Sequence, residues 1–269
     1  MSRKTRIETR FDELRRCGEK GFIAYVTAGD PGLKDTVDVV LRLEDAGVDI
    51  VELGIPFSDP LADGRVNQEA ATRALDHGAT LEGVLTCVRT IRRRSGIPLL
   101  FFSYLNPLLA RGFDRTVEAA AAAGVDGFLV LDLPIEEARP YARSLSRHRL
   151  NNVCLVTPTS PDERIQRIVG ASSGFVYCVS REGVTGMQKQ LARAATELVR
   201  KTRRFTSLPV ALGFGISSSD QARAAARVAD AVVVGSAIVD RFASAPRTAG
   251  GRAETARWVK KLVRAVKQV

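Results

Sequence analysis

The chain has 269 residues, 45% of them hydrophobic and 26% charged, and 40 Lys and Arg against 30 Asp and Glu leave a net charge of +10. That is the composition of an ordinary globular protein, and no apolar run reaches the roughly 18 residues that span a bilayer. The 4 cysteines form no C-x-x-C pair, which disfavours a zinc site or a disulfide frame and points to reduced thiols in a cytoplasmic protein.

The N-terminus shows no apolar region and so no signal peptide. Residues 5–17 predict an amphipathic helix, with Ile7, Phe11 and Leu14 at helical spacing. A buried strand follows at 22–26 and a helix at about 34–46. The next strand, 48–53, runs into the stretch Gly54-Ile55-Pro56-Phe57-Ser58-Asp59. A long loop over 54–66, a short helix near 67–76 and a main helix near 80–94 come before the third strand, 98–102. Further strands are expected at 127–131, 152–156, 174–179, 209–212 and 231–234. Pro246 with Gly250 and Gly251 predicts a loop before a final helix at 253–267. Most strands are near-continuous apolar runs, as in a parallel sheet buried on both faces. Eight strand–helix units near 250 residues predict an α/β fold, a (β/α)8 TIM barrel forming a single domain over 1–269 with an N-terminal helix. An open doubly wound sheet is the alternative, but Gly29-Asp30-Pro31-Gly32 is not a dinucleotide turn.

The Arg and Lys clusters at 92–94, 143–149 and 200–204 hold no aromatic residue. They predict solvated helix faces and no nucleic-acid partner.

Barrel chemistry sits at the C-terminal strand ends. Glu52 lies within an apolar strand, where an unpaired carboxylate is costly. It is either paired with a cation or kept for proton transfer. Asp63 rides on the long loop, and two carboxylates in unlike settings can divide acid and base roles. Asp30, Asp59 and Asp132 stand next to Pro or Leu-Pro and suit turns. His77 and His148 have surface contexts, and no Ser-His-Asp arrangement emerges. The loops after the seventh and eighth strands, Gly213-Phe214-Gly215-Ile216-Ser217 and Gly235-Ser236-Ala237, suit a phosphate held by backbone amides. Gly186 could supply a third edge. The competing reading is ordinary turns with Ser217 as a helix cap.

The string from Glu52 to Gly64, with Asp132-Leu133-Pro134, Gly183-Val184-Thr185-Gly186 and the two loops just named, resembles the tryptophan synthase alpha subunit family. The similarity covers about residues 20–240. It implies cleavage of indole-3-glycerol phosphate to indole and glyceraldehyde 3-phosphate, without metal or organic cofactor, beside a beta subunit. It implies Glu52 as proton carrier and Asp63 as acceptor for the indole N–H. Phosphate would rest on Gly186, Gly215, Gly235 and Ser236. Tyr25, Phe102, Leu129, Leu131, Tyr177, Thr185 and Phe214 would line the indole pocket, although the Phe and Leu members equally suit barrel core. The chain departs from the family at Arg65-Val66-Asn67, where Pro-Thr-Ile is usual, and at Leu131, where a smaller residue or Pro is usual. These departures keep two alternatives open: a free-standing lyase releasing indole for another pathway, and a weakly active barrel acting as a binding partner.

Overall fold

The computed structural model describes residues 4–179, 188–213, 215–246 and 248–269, without the side chains of 188–192. Eight parallel strands close into a barrel in chain order: β1 (Gly21–Thr27), β2 (Ile50–Gly54), β3 (Leu99–Ser103), β4 (Gly127–Val130), β5 (Asn151–Val156), β6 (Val176–Val179), β7 (Val210–Gly213) and β8 (Ala231–Val234). Among the described residues, twelve helices accompany them: α1 (Arg6–Cys17), α2 (Leu33–Asp45), α3 (Arg65–Asp76), α4 (Leu81–Arg92), α5 (Leu105–Leu109), α6 (Phe113–Ala123), α7 (Ala138–Arg147), α8 (Asp162–Ala171), α9 (Gln188–Arg203), α10 (Ser219–Ala226), α11 (Ser236–Ser244) and α12 (Ala249–Lys267). No described helix is long and apolar enough to cross a membrane.

Two apolar layers hold this together. The outer one, between strands and helices, is built on residues such as Phe22, Val51, Phe101, Phe128 and Val232. The inner one fills the barrel with Ile23, Ile50, Leu100, Leu129, Val153, Phe175, Ala211 and Val233. Helix α1 closes the floor. A capping box, Thr5 with Glu8, starts it, and Gly18 in the left-handed conformation ends it. Its Ile7, Phe11 and Leu14 enter the inner layer, where the Phe11 and Phe175 rings stand 5.6 Å apart.

The floor also explains some of the arginine. Asp49, just before β2, accepts the Phe22 amide of β1; Asp126, before β4, accepts the Leu99 amide of β3; Asp230, before β8, accepts the Val210 amide of β7. Ser173, before β6, serves Asn152 of β5 in the same way. Each carboxylate therefore pairs an end-of-strand N–H that would otherwise be buried and unmet. Cations then balance the charge: Arg10 and Lys267 on Asp49, Arg6 and Arg92 on Asp126, and Arg203 on Asp230.

This corrects the expectation of a solvated helix face at Arg92, whereas Arg93 and Arg94 are exposed as expected. Arg92 is largely buried and also donates to the carbonyls of Gly124 and Ile97. Its position at the end of α4 turns it under the barrel. Removing one partner of a buried pair costs about 3–5 kcal/mol, so Asp126→Ala should lower the urea-unfolding free energy by about that amount. A loss under about 1 kcal/mol would mean that the floor pairs are ornamental.

Of the boundaries that differ from expectation, two have a visible cause. The strand expected from 48 starts at Ile50, because the Val48 amide closes the α2 turn on Leu43 and Asp49 turns to cap β1. Gly250 and Gly251, expected in a loop, lie inside α12. Thr248 caps the helix through the Gly251 amide, and a Cβ on Gly251 would collide with the Pro246 backbone. The glycine there serves close packing, not a turn.

Candidate active site

Glu52 is in the middle of β2, in register with Tyr25 of β1 and Leu100 of β3. Side chains alternate along a strand, so Glu52 shares a face with Ile50, which belongs to the inner layer. It is 0% exposed. Neither carboxylate oxygen has a hydrogen-bond partner among the described residues, and no arginine or lysine pairs with it there. Burial alone pushes its pKa up to about 8. The group is therefore a neutral acid at neutral pH, able to give a proton and receive it back.

Tyrosines stand around it. Tyr25 and Tyr177 are both pushed up by burial, with a further push from the Glu52 charge. Two glycines make room for them: a Cβ on Gly54 would collide with the Tyr25 hydroxyl, and one on Gly213 with the Tyr177 hydroxyl. The Tyr25 and Phe102 rings meet edge-on at 4.9 Å. Phe102, Leu131 and Tyr177 are partly buried against the inner layer, while Leu129 is fully buried within it. Leu129 is thus core, and the others are only partly buried.

Asp63 lies just before α3, whose N-cap is Gly64. A carboxylate here is favoured by the helix dipole. The Tyr104 hydroxyl donates to Asp63 Oδ2 at 2.9 Å and accepts from the Ala62 amide at 2.9 Å. Asn67 Nδ2 donates to Asp63 Oδ1 at 3.4 Å. Burial raises the Asp63 pKa, and these two donors pull it back. Asp30, expected as a turn residue, takes a two-pronged pair from Arg73 of α3 at 3.0 and 2.8 Å. Asp132 accepts the Leu105 amide, and Asp59 accepts the Ser58 hydroxyl. All three lock loops.

Strands β7 and β8 are neighbours, so their following loops lie side by side. Gly215 has φ +40°, a conformation that favours glycine. Gly235 starts α11 without a side-chain cap, and its carbonyl takes the Ile238 and Val239 amides. The Ser236 and Ala237 amides have no partner among the described residues, so this helix start can receive an anion. Ser217 is already committed: its amide and hydroxyl donate to Gln221 Oε1, and the helix cap is Ser218. Thr185, Gly186 and Phe214 lie outside the described residues.

Two neighbours of Asp63 received no role from the sequence. Tyr104 follows the end of β3, a position where barrel sites are built, and that was its available signal. Asn67 stood out only as a departure from the family string.

Fold and site together define a (β/α)8-barrel enzyme with a buried carboxylic acid that has no partner among the described residues, a second carboxylate on a mouth loop, and an anion-receptive helix start after β8. The profile described as "Tryptophan synthase alpha chain" matches residues 11–268. A tryptophan synthase alpha chain from Opitutus terrae is 48% identical over 236 residues, covering 88% of this chain and 89% of that one. One from Caldanaerobacter subterraneus subsp. tengcongensis is 42% identical over 264 residues, covering 98% and 99%. The crystal structure of tryptophan synthase subunit alpha from Legionella pneumophila superposes with a TM-score of 0.90 at 30% identity, covering 99% and 100%. The chain belongs to the tryptophan synthase alpha chain family.

Proposed function

We infer that the chain works as the alpha subunit of a tryptophan synthase. It is a carbon–carbon lyase that splits indole-3-glycerol phosphate into indole and glyceraldehyde 3-phosphate in tryptophan biosynthesis, with the beta subunit as its partner. Glu52, neutral at rest, gives its proton to indole C3, which makes the ring an electron sink. The carboxylate so formed takes the proton of the adjacent glycerol hydroxyl. As that oxygen becomes the aldehyde carbonyl, the C3–carbon bond breaks and its electron pair returns to the ring. Glu52 ends as it began. Asp63, ionised, accepts from the ring N–H and offsets positive charge on the indolenine. Tyr25, Phe102, Leu131 and Tyr177 border the ring, and Gly215, Gly235 and Ser236 hold the phosphate by backbone.

The observation that carries this reading is the buried acid with no partner on either oxygen among the described residues. Such a group is kept for a ligand or a proton, since its burial alone only destabilises. The test is indole release from indole-3-glycerol phosphate, with and without a beta subunit. Absence of release under both conditions would defeat the reading.

Of the departures, Arg65 lies away from the site. Arg65 points to solvent and pairs with Glu69 at 2.7 Å. The family and the absence of a membrane-crossing helix among the described residues support a cytoplasmic location.

Gly213→Ala tests the tyrosine wall. The added methyl must displace the Tyr177 ring, so kcat/KM should fall at least about tenfold, a 1.4 kcal/mol effect, while the chain stays folded by circular dichroism. Unchanged kinetics would remove Tyr177 from the pocket.

A further inference from the structure

Among the described residues, the buried side-chain oxygens with no hydrogen-bond partner belong to Glu52 and Asn67. Glu52 is accounted for by the proton it carries. Asn67 Oδ1 is not accounted for by anything above. Buried acceptors without donors are rare in folded proteins and call for an explanation.

The orientation of the amide is not arbitrary. Nδ2 faces Asp63 Oδ1 at 3.4 Å. Turning the amide over would set its oxygen against a carboxylate oxygen. The charge of Asp63 therefore selects the donor end and leaves the acceptor end unmet. Asn67 belongs to the first turn of α3, next to Val66, which packs with Ala70, Tyr25 and Phe102 over the barrel mouth. An aliphatic side chain would fill the same volume there without an orphaned oxygen, so packing does not explain the asparagine.

We propose that Asn67 is a positioning and specificity residue for the substrate's ring N–H. Its nitrogen holds Asp63, and its buried oxygen shares the ring N–H with Asp63 in a three-centre hydrogen bond when a heteroaromatic ring bearing an N–H is bound. This rests on the reading of Asp63 as the ring N–H acceptor. The ionisable groups facing Asp63 are Tyr104, after β3, and Tyr25 of β1; on α3 itself, Arg65 and Glu69 pair with each other on the solvent side.

The experiment compares Asn67→Leu with the unaltered chain on two non-cleavable ligands. Both carry a propyl phosphate in place of the glycerol phosphate; one has an indole ring and the other a benzothiophene ring, of similar shape but without the N–H. The Leu variant should bind the indole ligand about tenfold more weakly and the benzothiophene ligand within about twofold of the unaltered chain. The acid limb of kcat/KM against pH should also move to higher pH, because Asp63 loses a donor that favours its charged form. Equal losses on both ligands, or no loss on indole, overturn the proposal. If Asn67→Leu does not fold, Asn67→Ala is held to the same comparison. Failure of the unaltered chain to release indole would instead sink the functional reading and is seen separately.

Discussion

Glu52→Gln should abolish indole release, by about 10³-fold or more, and at the same time make the folded chain more stable. The first effect follows from chemistry: the amide can neither give nor take the proton, and positioned acid–base groups are worth roughly 10²–10⁴-fold. The second follows from burial. The Glu52 pKa stands at about 8 in the folded chain, against an ordinary 4.5. A raised folded pKa means that the favourable protonated form is fully present below about 4.5. Stability is then lost as pH rises from there through about 8. At pH 7 the unaltered chain therefore bears a cost on the order of 3 kcal/mol that glutamine escapes. Thermal midpoints should differ by about 5–10 °C at pH 8 and converge near pH 4. Near-native turnover in the Gln variant would remove Glu52 as the proton carrier. Equal midpoints at pH 8 would show that the carboxyl is hydrated and not desolvated.

Asp63→Asn should cost about 10²-fold in kcat/KM, the scale of losing one charge that stabilises a transition state. Its larger signature is in the pH profile. The unaltered enzyme needs Asp63 ionised and Glu52 protonated, which gives a bell. The alkaline limb should lie near the Glu52 value of about 8, and the acid limb above the ordinary aspartate range, because burial raises Asp63. In the Asn variant the acid limb disappears and the alkaline limb stays. The Tyr104 hydroxyl can still donate to the amide oxygen at this site, so the loop keeps its anchor. A bell left unchanged in Asp63→Asn would assign the acid limb to another group.

Much of the barrel is legible in the chain because its signals are local. The apolar runs that became β1 to β8 mark strands buried on both faces, and their number and spacing imply closure. Glu52 stands out by contrast with its neighbours, a charge within an apolar strand. Asp49 and Asp126 also carried a sign that went unused: both follow Ala-Gly-Val directly before a strand. Arg92 gave no such sign. One arginine in a row of three reads as surface until the turn after α4 is seen to aim it at Asp126.

The sequence by itself determined the strand order, the two carboxylates and the glycine-rich loops after the seventh and eighth strands. Those depend on the hydrophobic pattern and residue chemistry within short windows. Only the tertiary structure decided that Glu52 has no cation beside it among the described residues, that Tyr104 and Asn67 converge on Asp63 from two different elements, and that Gly54 and Gly213 stand opposite tyrosine hydroxyls. Those relations arise between strands and helices far apart in the chain. They exist only once closure of the barrel sets the distances between them.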